Sequence, residues 1–194
     1  EMLGRLAVLG YTGGENVYDN DGEPIRVQWL HTTDGTSWTP MFDDQKIVLE
    51  GGASETDAVI LDDGRIVAVS RNEAGDNSGF GMKICSAPAD DQATWTCKAD
   101  PKKYDSPLLF RNGDTVYMVG RRNVTETGHY DLSHDDPSWN DKSLSDRFVA
   151  SQANYWTNPK RCALWTVDPD ALTVDFVLDL PSKGDTCVPE MIRL

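Results

Sequence analysis

The sequence predicts an all-β protein that forms an arc of a β-propeller. Short β-branched runs separated by polar turns recur along its 194 residues. No segment shows a sustained amphipathic helical period. A hairpin pattern also repeats: residues 55–71 hold two apolar runs around an Asp-Asp-Gly turn, and residues 104–121 hold two around an Asn-Gly turn. Hairpin repeats of this kind are typical of propeller blades.

Two partial copies flank the complete repeats. Residues 4–10 match the second half of the hairpin, and residues 185–194 match the first half. The turn glycines Gly4, Gly64 and Gly113 are roughly 50 to 60 residues apart, a spacing expected of blades. We therefore expect a single propeller with repeat pieces at about 1–50, 51–103, 104–182 and 183–194.

The charge of the chain narrows the classes of partner. The net charge is −14 and the sequence pI is about 4.4. Nucleic acids and anionic membranes select surfaces rich in Lys and Arg, so we expect neither as a partner. No stretch reaches the roughly 18 apolar residues of a transmembrane helix. The acidity is compatible with bound calcium or with a solubilising surface, and no other cofactor is expected.

The cysteines and one sequon indicate an oxidising environment. Cys85 and Cys97 flank a predicted hairpin, and facing strands place such a pair within disulfide reach. Cys162 and Cys187 are left to pair with each other or with residues beyond this sequence. Asn123 begins an Asn-Val-Thr sequon for N-glycosylation. Together these features predict a secreted or cell-surface glycoprotein.

A polar turn closed by a tryptophan occurs twice. Asp34, Gly35 and Trp38 form the clearer example, and a looser copy ends at Trp95. In such a turn the Asp accepts backbone N–H bonds, the Gly takes a positive φ, and the Trp packs beneath the turn. We expect these residues to stabilise blades and to take no part in chemistry.

One irregular segment, at about 123–158, is predicted to be an insertion loop. It carries, among other residues, His129, Tyr130, His134, Trp139, Tyr155 and Trp156. Long ordered loops are often functional, and aromatic rings suit the apolar faces of sugars. A self-packed loop with a small aromatic core is the alternative. Because no HExxH or Cys/His set accompanies the histidines, no metal site is predicted.

The turn at 32–38 resembles the Asp-box, or BNR repeat, of the sialidase superfamily. The hairpin 55–71 is similar to the sialidase segment in which a catalytic glutamate begins an inner strand and a carboxylate-binding arginine ends the next strand. The resemblance implies a sialidase-like propeller, six-bladed when complete, of which this chain supplies about three blades. The resemblance in architecture covers nearly the whole chain, whereas the resemblance in catalytic residues covers only this hairpin.

In sialidases a glutamate polarises a tyrosine nucleophile, an aspartate is the acid/base, and three arginines clamp the carboxylate of the substrate. The resemblance implies that Glu55 is the activating glutamate and that Arg71 is a clamp arginine. Arg121 or Arg122, which end the equivalent strand of the next repeat, would supply another. Planar guanidinium groups suit this role because they donate two hydrogen bonds to one carboxylate.

The tyrosine nucleophile implied by the resemblance is missing. Its expected position in the last repeat falls at Cys187 or Val188, and neither side chain replaces a phenol. Asp105 and Asp185 occupy positions in their repeats close to that of Glu55 in its own. We therefore expect several carboxylates around one mouth of the central channel of the propeller. Such a ring could hold calcium or an acid pair of another glycosidase mechanism, or be a solvated rim.

These observations favour a sialidase-like extracellular propeller that recognises glycans or glycoproteins at its channel mouth without sialidase turnover. One alternative is an exo-glycosidase of the sialidase type with a different nucleophile. Another is a structural module that binds other chains of an extracellular or cell-surface assembly. A glycosidase requires two carboxylates about 5–10 Å apart facing one pocket, whereas a structural module should bury this surface against a partner.

Overall fold

The computed structural model describes residues 5–13, 25–42, 45–130, 136–183 and 187–191. These residues are mostly antiparallel β-sheet, in three four-stranded sheets that follow one another along the sequence. The prediction of a β-rich fold is confirmed in this form, while a closed propeller remains an expectation.

The first sheet has an interrupted outer strand. Its strands are β1 (Leu6–Thr12), β2 (Arg26–Thr32), β3 (Thr39–Pro40) and β4 (Ile47–Leu49). One side of β2 pairs with β1, and the other side pairs first with β3 and then with β4. The Asp34 turn lies between β2 and β3, whereas its looser copy, which ends at Trp95, lies between the third and fourth strands of the second sheet. By this comparison, β2 corresponds to the third strand of the later sheets.

The second and third sheets are simple meanders. The second contains β5 (Ala53–Ile60), β6 (Ile66–Asn72), β7 (Met82–Ala87) and β8 (Thr96–Asp100). The third contains β9 (Asp105–Asn112), β10 (Thr115–Asn123), β11 (Lys160–Asp168) and β12 (Thr173–Asp179). Gly64 and Gly113 turn the first hairpin of each sheet with φ of +87° and +60°, in the left-handed region that glycine adopts without a Cβ clash. Both repeated hairpins are therefore formed.

The sheets pack on one another and share the apolar residues of the middle sheet. On β6, Val67 and Val69 join a buried cluster with the third sheet, and Ile66 and Ala68 join another with the first sheet. Successive strand residues point to opposite faces, so a strand buried on both faces reads as an unbroken apolar run. The inner strand β5 contacts both β1 and β9, which brings the starts of the hairpins together.

The segment 123–158 contains a helix that the sequence analysis did not predict. A short 3-10 turn at Pro137–Asp141 is followed by α1, Leu144–Thr157. Ser143 caps α1: its Oγ accepts the N–H of Asp146 at 3.1 Å. The buried side chains of the helix are Phe148, Ser151 and Tyr155. So narrow a stripe, with serine in its middle, produces little apolar periodicity in the sequence.

The last predicted strand is wrong where the structure describes it. Residues 187–191 form no strand. Cys187 is joined to Cys162 in β11, and the C=O of Cys162 also accepts the N–H of Leu180 just after β12. These links tie the segment to the outer part of the third sheet and away from an inner-strand position. Asp185 lies outside the described residues.

The Asp34 turn has the predicted hydrogen bonds. Asp34 Oδ1 accepts the N–H groups of Thr36 and Ser37 at 2.8 and 2.7 Å, and Gly35 has φ of +77°. These bonds hold the pKa of Asp34 well below its ordinary value. In the third sheet, Asp168 accepts two backbone N–H groups of its own turn, both at 2.9 Å. In both turns these hydrogen bonds join residues two or three positions apart in the chain.

The two tryptophans of these turns differ. Trp95 packs against the core of the first two sheets, with its ring centroid 6.0 Å from that of Trp29. Trp38 is 42% exposed, so the prediction that it packs beneath its turn is wrong. The hydrogen bonds of Asp34 hold that turn without a buried ring.

Asn123 is not at the surface. It is the last residue of β10, it pairs with Lys160 of β11, and it is 1% exposed. An attached glycan needs a surface position. The predicted glycosylation at Asn123 is therefore wrong for the folded chain, because the sequon begins inside the sheet.

Both disulfides considered in the sequence are present in the described residues, Cys85–Cys97 and Cys162–Cys187. Cys85 and Cys97 face each other across β7 and β8. Among the helices that the structure describes, none is long and apolar enough to cross a membrane. The disulfides are consistent with an oxidising, extracellular environment.

Removing the Cys85–Cys97 bridge will lower the free energy of unfolding by about 3 kcal/mol, because a closed loop of this length restricts the unfolded chain. Urea unfolding of the Cys85→Ala, Cys97→Ser double variant measures the effect. Comparing the double variant with the unmodified protein under reducing conditions, where both lack the two disulfides, controls for cavity effects at the buried Cys85. A loss below about 1 kcal/mol would contradict the prediction.

Candidate functional site

Two hairpins place their charged residues side by side. Asp105 at the start of β9 pairs with Arg121 near the end of β10. In the preceding sheet, Glu55 lies near the start of β5 and Arg71 near the end of β6. Since β5 packs against β9, the two acid–arginine pairs meet.

Arg71 is the centre of this cluster. Its Nη1 lies 3.3 Å from Glu55 Oε2, its Nη2 lies 3.1 Å from Glu73 Oε1, and its Nε lies 3.2 Å from Asp105 Oδ1. Burial acts to lower the pKa of Arg71, but Asp105, Glu73 and Glu55 outweigh it and raise the pKa. Arg71 is therefore a fixed cation whose three kinds of nitrogen each face a carboxylate.

Asp105 and Lys103 lie beneath the cluster, and neither is exposed to solvent. Lys103 Nζ is 3.7 Å from Asp105 Oδ1 and 3.6 Å from the centroid of the Tyr130 ring. Arg121 Nε is 3.9 Å from the other oxygen of Asp105. Burial, and then repulsion by Arg71, lowers the pKa of Lys103 to about 7, although Asp105 opposes the shift. Lys103 can therefore change its charge near neutral pH.

Glu55 is held in place from the neighbouring sheet. Its Oε2 accepts the N–H of Ser106 at 3.1 Å, and its Oε1 accepts the Ser106 hydroxyl at 3.3 Å. Ser106 has φ of +49°, an uncommon conformation for a residue other than glycine. Burial acts to raise the pKa of Glu55, but Arg71 and the Ser106 N–H outweigh it and lower the pKa. Glu55 is therefore ionised at neutral pH and also links β5 to β9.

Helix α1 builds a wall over the charged cluster. The two together enclose a cavity of about 470 Å³. Its lining residues are Glu55, Arg71, Glu73, Arg121, Phe148, Gln152, Tyr155 and Trp156. The Tyr155 ring lies over both guanidinium groups, with its centroid 5.2 Å from Cζ of Arg71 and 5.8 Å from Cζ of Arg121. Trp156 is 70% exposed at the rim.

The aromatic residues of segment 123–158 are partly packed against one another, while their role in binding sugars stays a prediction. Tyr130, Phe148 and Tyr155 form a small buried cluster with Phe80, as expected of a self-packed segment. The same segment also supplies the aromatic wall of the cavity. His134 lies outside the described residues, and no group of His, Cys, Asp or Glu able to hold a metal occurs within the described ranges.

The structure separates the two candidate arginines of β10. Arg121 lines the cavity, whereas Arg122 points to the other face of the strand. There Arg122 donates through Nε and Nη2 to Asp179 at 2.7 and 2.6 Å, and its guanidinium lies 5.1 Å from the Phe176 centroid. Adjacent strand residues face opposite ways, so both arginines cannot serve one site. Grouping Arg122 with the cavity residues is therefore wrong.

Sequence reasoning also missed Glu73 and Lys103. Glu73 follows the end of β6 and is 2% exposed, and Lys103 comes just before β9 and is 1% exposed. Both residues sit within two positions of a predicted site residue, Arg71 and Asp105 respectively. That proximity was an available signal, but it does not tell whether a charged side chain turns inward.

No known protein family matches this chain, and no curated protein sequence matches it either. Two solved structures are similar in part. YjhT gives a TM-score of 0.44 at 14% identity over 90% of this chain and 52% of that protein. The phage phi92 endosialidase gives a TM-score of 0.47 at 17% identity over 83% of this chain and 23% of that protein. The chain thus spans about half or less of each, and likeness at this level says nothing of what it binds.

Proposed function

We propose that this chain binds carbohydrate in the cavity between α1 and the ends of the first two strands of the second sheet. The observation that carries the proposal is Trp156, 70% exposed at the rim of a cavity that also presents an ionised carboxylate, Glu55. Ligand pockets combine apolar walls with a few placed polar groups. A sugar offers both complements: an apolar C–H face for an indole ring and hydroxyl donors for a carboxylate.

Glu55 is suited to accept a ligand hydroxyl. A carboxylate has about four acceptor positions. Arg71 and the Ser106 N–H both use Oε2, while Oε1 receives the Ser106 hydroxyl in the described part of the chain. Because these bonds fix the carboxylate, it loses little conformational entropy when a ligand binds.

Binding is better supported than hydrolysis. A glycosidase needs two carboxylates that face one pocket. Glu73 also lines the cavity, but it is 2% exposed and paired with Arg71 at 3.1 Å. The cavity carboxylate within reach of a ligand is therefore Glu55. We accordingly infer a sialidase-like propeller that recognises glycans or glycoproteins outside the cell or at its surface, without turnover.

Replacing Trp156 with alanine will weaken carbohydrate binding about tenfold or more, because the ligand loses its stacking surface. A glycan array identifies ligands of the unmodified protein, and calorimetry on the strongest ligand then compares the variants. Trp38→Ala is the matched control, since Trp38 is also exposed but does not line the cavity. Equal loss in both variants, or no glycan bound by the unmodified protein, would contradict the proposal. Release of free sugar would instead identify a glycosidase.

A further inference from the structure

We infer that this cavity selects neutral sugars and discriminates against sugars that carry a carboxylate. The inference rests on the proposed carbohydrate function and specifies its ligand class. It departs from the sialidase resemblance, which implies arginines that clamp a substrate carboxylate.

Arg71 is surrounded by carboxylates of the protein itself. Its Nη1, Nη2 and Nε each lie 3.1 to 3.3 Å from a carboxylate oxygen of the protein, on Glu55, Glu73 and Asp105. A guanidinium binds a carboxylate strongly through two parallel N–H donors. Here Nη1, Nη2 and Nε all lie beside internal carboxylates, which balance the charge of Arg71 and use part of its donor capacity, although Nε makes no hydrogen bond itself. Its role in this arrangement is to hold Glu55 and Glu73.

Little of the positive charge reaches the cavity. The side chains of Arg71 and Arg121 are each 8% exposed. Both guanidinium groups pack against the Tyr155 ring, and Lys160 Nζ lies 4.0 Å from the centroid of that ring. Cations that pack on an aromatic ring are already stabilised by it. A ligand therefore meets little of either guanidinium group, and since Tyr155 itself is 3% exposed, the aromatic surface open to it is that of Trp156.

The charge that a ligand does meet in the cavity is negative. The Glu55 side chain is 28% exposed, more than any other charged group in the cavity lining. An anion brought within about 4–6 Å of it in a partly desolvated cavity is repelled. The net charge of −14 adds long-range repulsion of anions. Neutral hydroxyl groups avoid this cost and donate to the same carboxylate.

Matched sugar pairs test the selectivity directly. The probes are methyl galactoside against methyl galacturonide, methyl glucoside against methyl glucuronide, and lactose against sialyllactose, measured by calorimetry at low ionic strength. We expect the neutral member of a bound pair to bind at least about tenfold more tightly. Glu55→Gln removes the exposed charge but keeps an acceptor oxygen. It should therefore reduce this gap, the ratio of the two affinities, to about threefold or less. Glu190→Gln, an equal charge change at an exposed position, should leave the gap unchanged.

The outcomes separate this inference from the function it rests on. Equal or tighter binding of the acidic member would overturn the neutral selectivity and leave carbohydrate binding standing. A gap that Glu55→Gln does not narrow would overturn the assignment of the selectivity to Glu55. Failure of the unmodified protein to bind any probe, or any sugar on the array, would overturn both.

Discussion

Arg71→Ala will lower the free energy of unfolding by about 3–5 kcal/mol. Removing one partner of a buried ion pair leaves the other charge uncompensated, and here two anions are left together. Asp105 is inaccessible to solvent, and Glu73 is 2% exposed. Lys103 and Arg121 remain near Asp105, at 3.7 and 3.9 Å, but such distances are too long for good hydrogen bonds.

Urea unfolding measures the effect, and Arg122→Ala is the matched control. Arg122 is one position from a cavity residue, but its partner Asp179 has a side chain that is 38% exposed. Partly exposed ion pairs contribute about 0–1 kcal/mol, so this variant should lose little. Similar losses of stability in both variants would contradict the prediction that the buried ion pairs of Arg71 contribute more than the partly exposed pair of Arg122. Arg71→Lys should rescue little, because an ammonium group cannot face three carboxylates in the planar arrangement of a guanidinium.

The sequence predicted the hairpins because their signals are local. The turn glycines Gly64 and Gly113 mark where each hairpin reverses, and the apolar runs on either side define the strands. Antiparallel pairing then requires a residue near the start of the first strand to meet one near the end of the second. Glu55 and Arg71, which the sialidase resemblance singled out, meet in this way.

The choice between Arg121 and Arg122 could not be made in this way. Counting alternate faces from Gly113 assumes an unbroken ladder, but the pairing of β10 with β9 shifts register between Val119 and Arg121. A bulge changes which face the following residues occupy. Its presence depends on how the neighbouring sheets pack, and the sequence of the strand alone does not reveal it.

The wall of the cavity was also beyond prediction. Helix α1 has its buried stripe at Phe148, Ser151 and Tyr155, and its stability comes largely from packing on other elements. That Tyr155 would lie over Arg71 depends on contacts between residues 84 positions apart in the chain. The aromatic content of the segment suggested a functional role, but only the fold brings it to Glu55.

The free energy of unfolding will rise with pH between about 7 and 9.5, and Lys103 will be a main cause. In the folded protein its pKa is lowered to about 7 by burial and by Arg71, whereas in the unfolded chain it is near its ordinary value of about 10.5. Between these values the unfolded state binds more protons than the folded state. Stability therefore increases with pH, by up to about 1.4 kcal/mol per unit for one group.

Lys103→Met should flatten this rise, since it removes the titrating group while keeping a side chain of similar length against the Tyr130 ring. Urea unfolding between about pH 7 and pH 9.5 measures the slope, below the range in which tyrosines ionise. Lys98→Met is the control, because Lys98 is exposed and should leave the slope unchanged. An equally steep rise without Lys103 would assign the pH dependence to another group. Loss of the rise would show that the cluster beneath the cavity carries a lysine whose charge is lost near neutral pH.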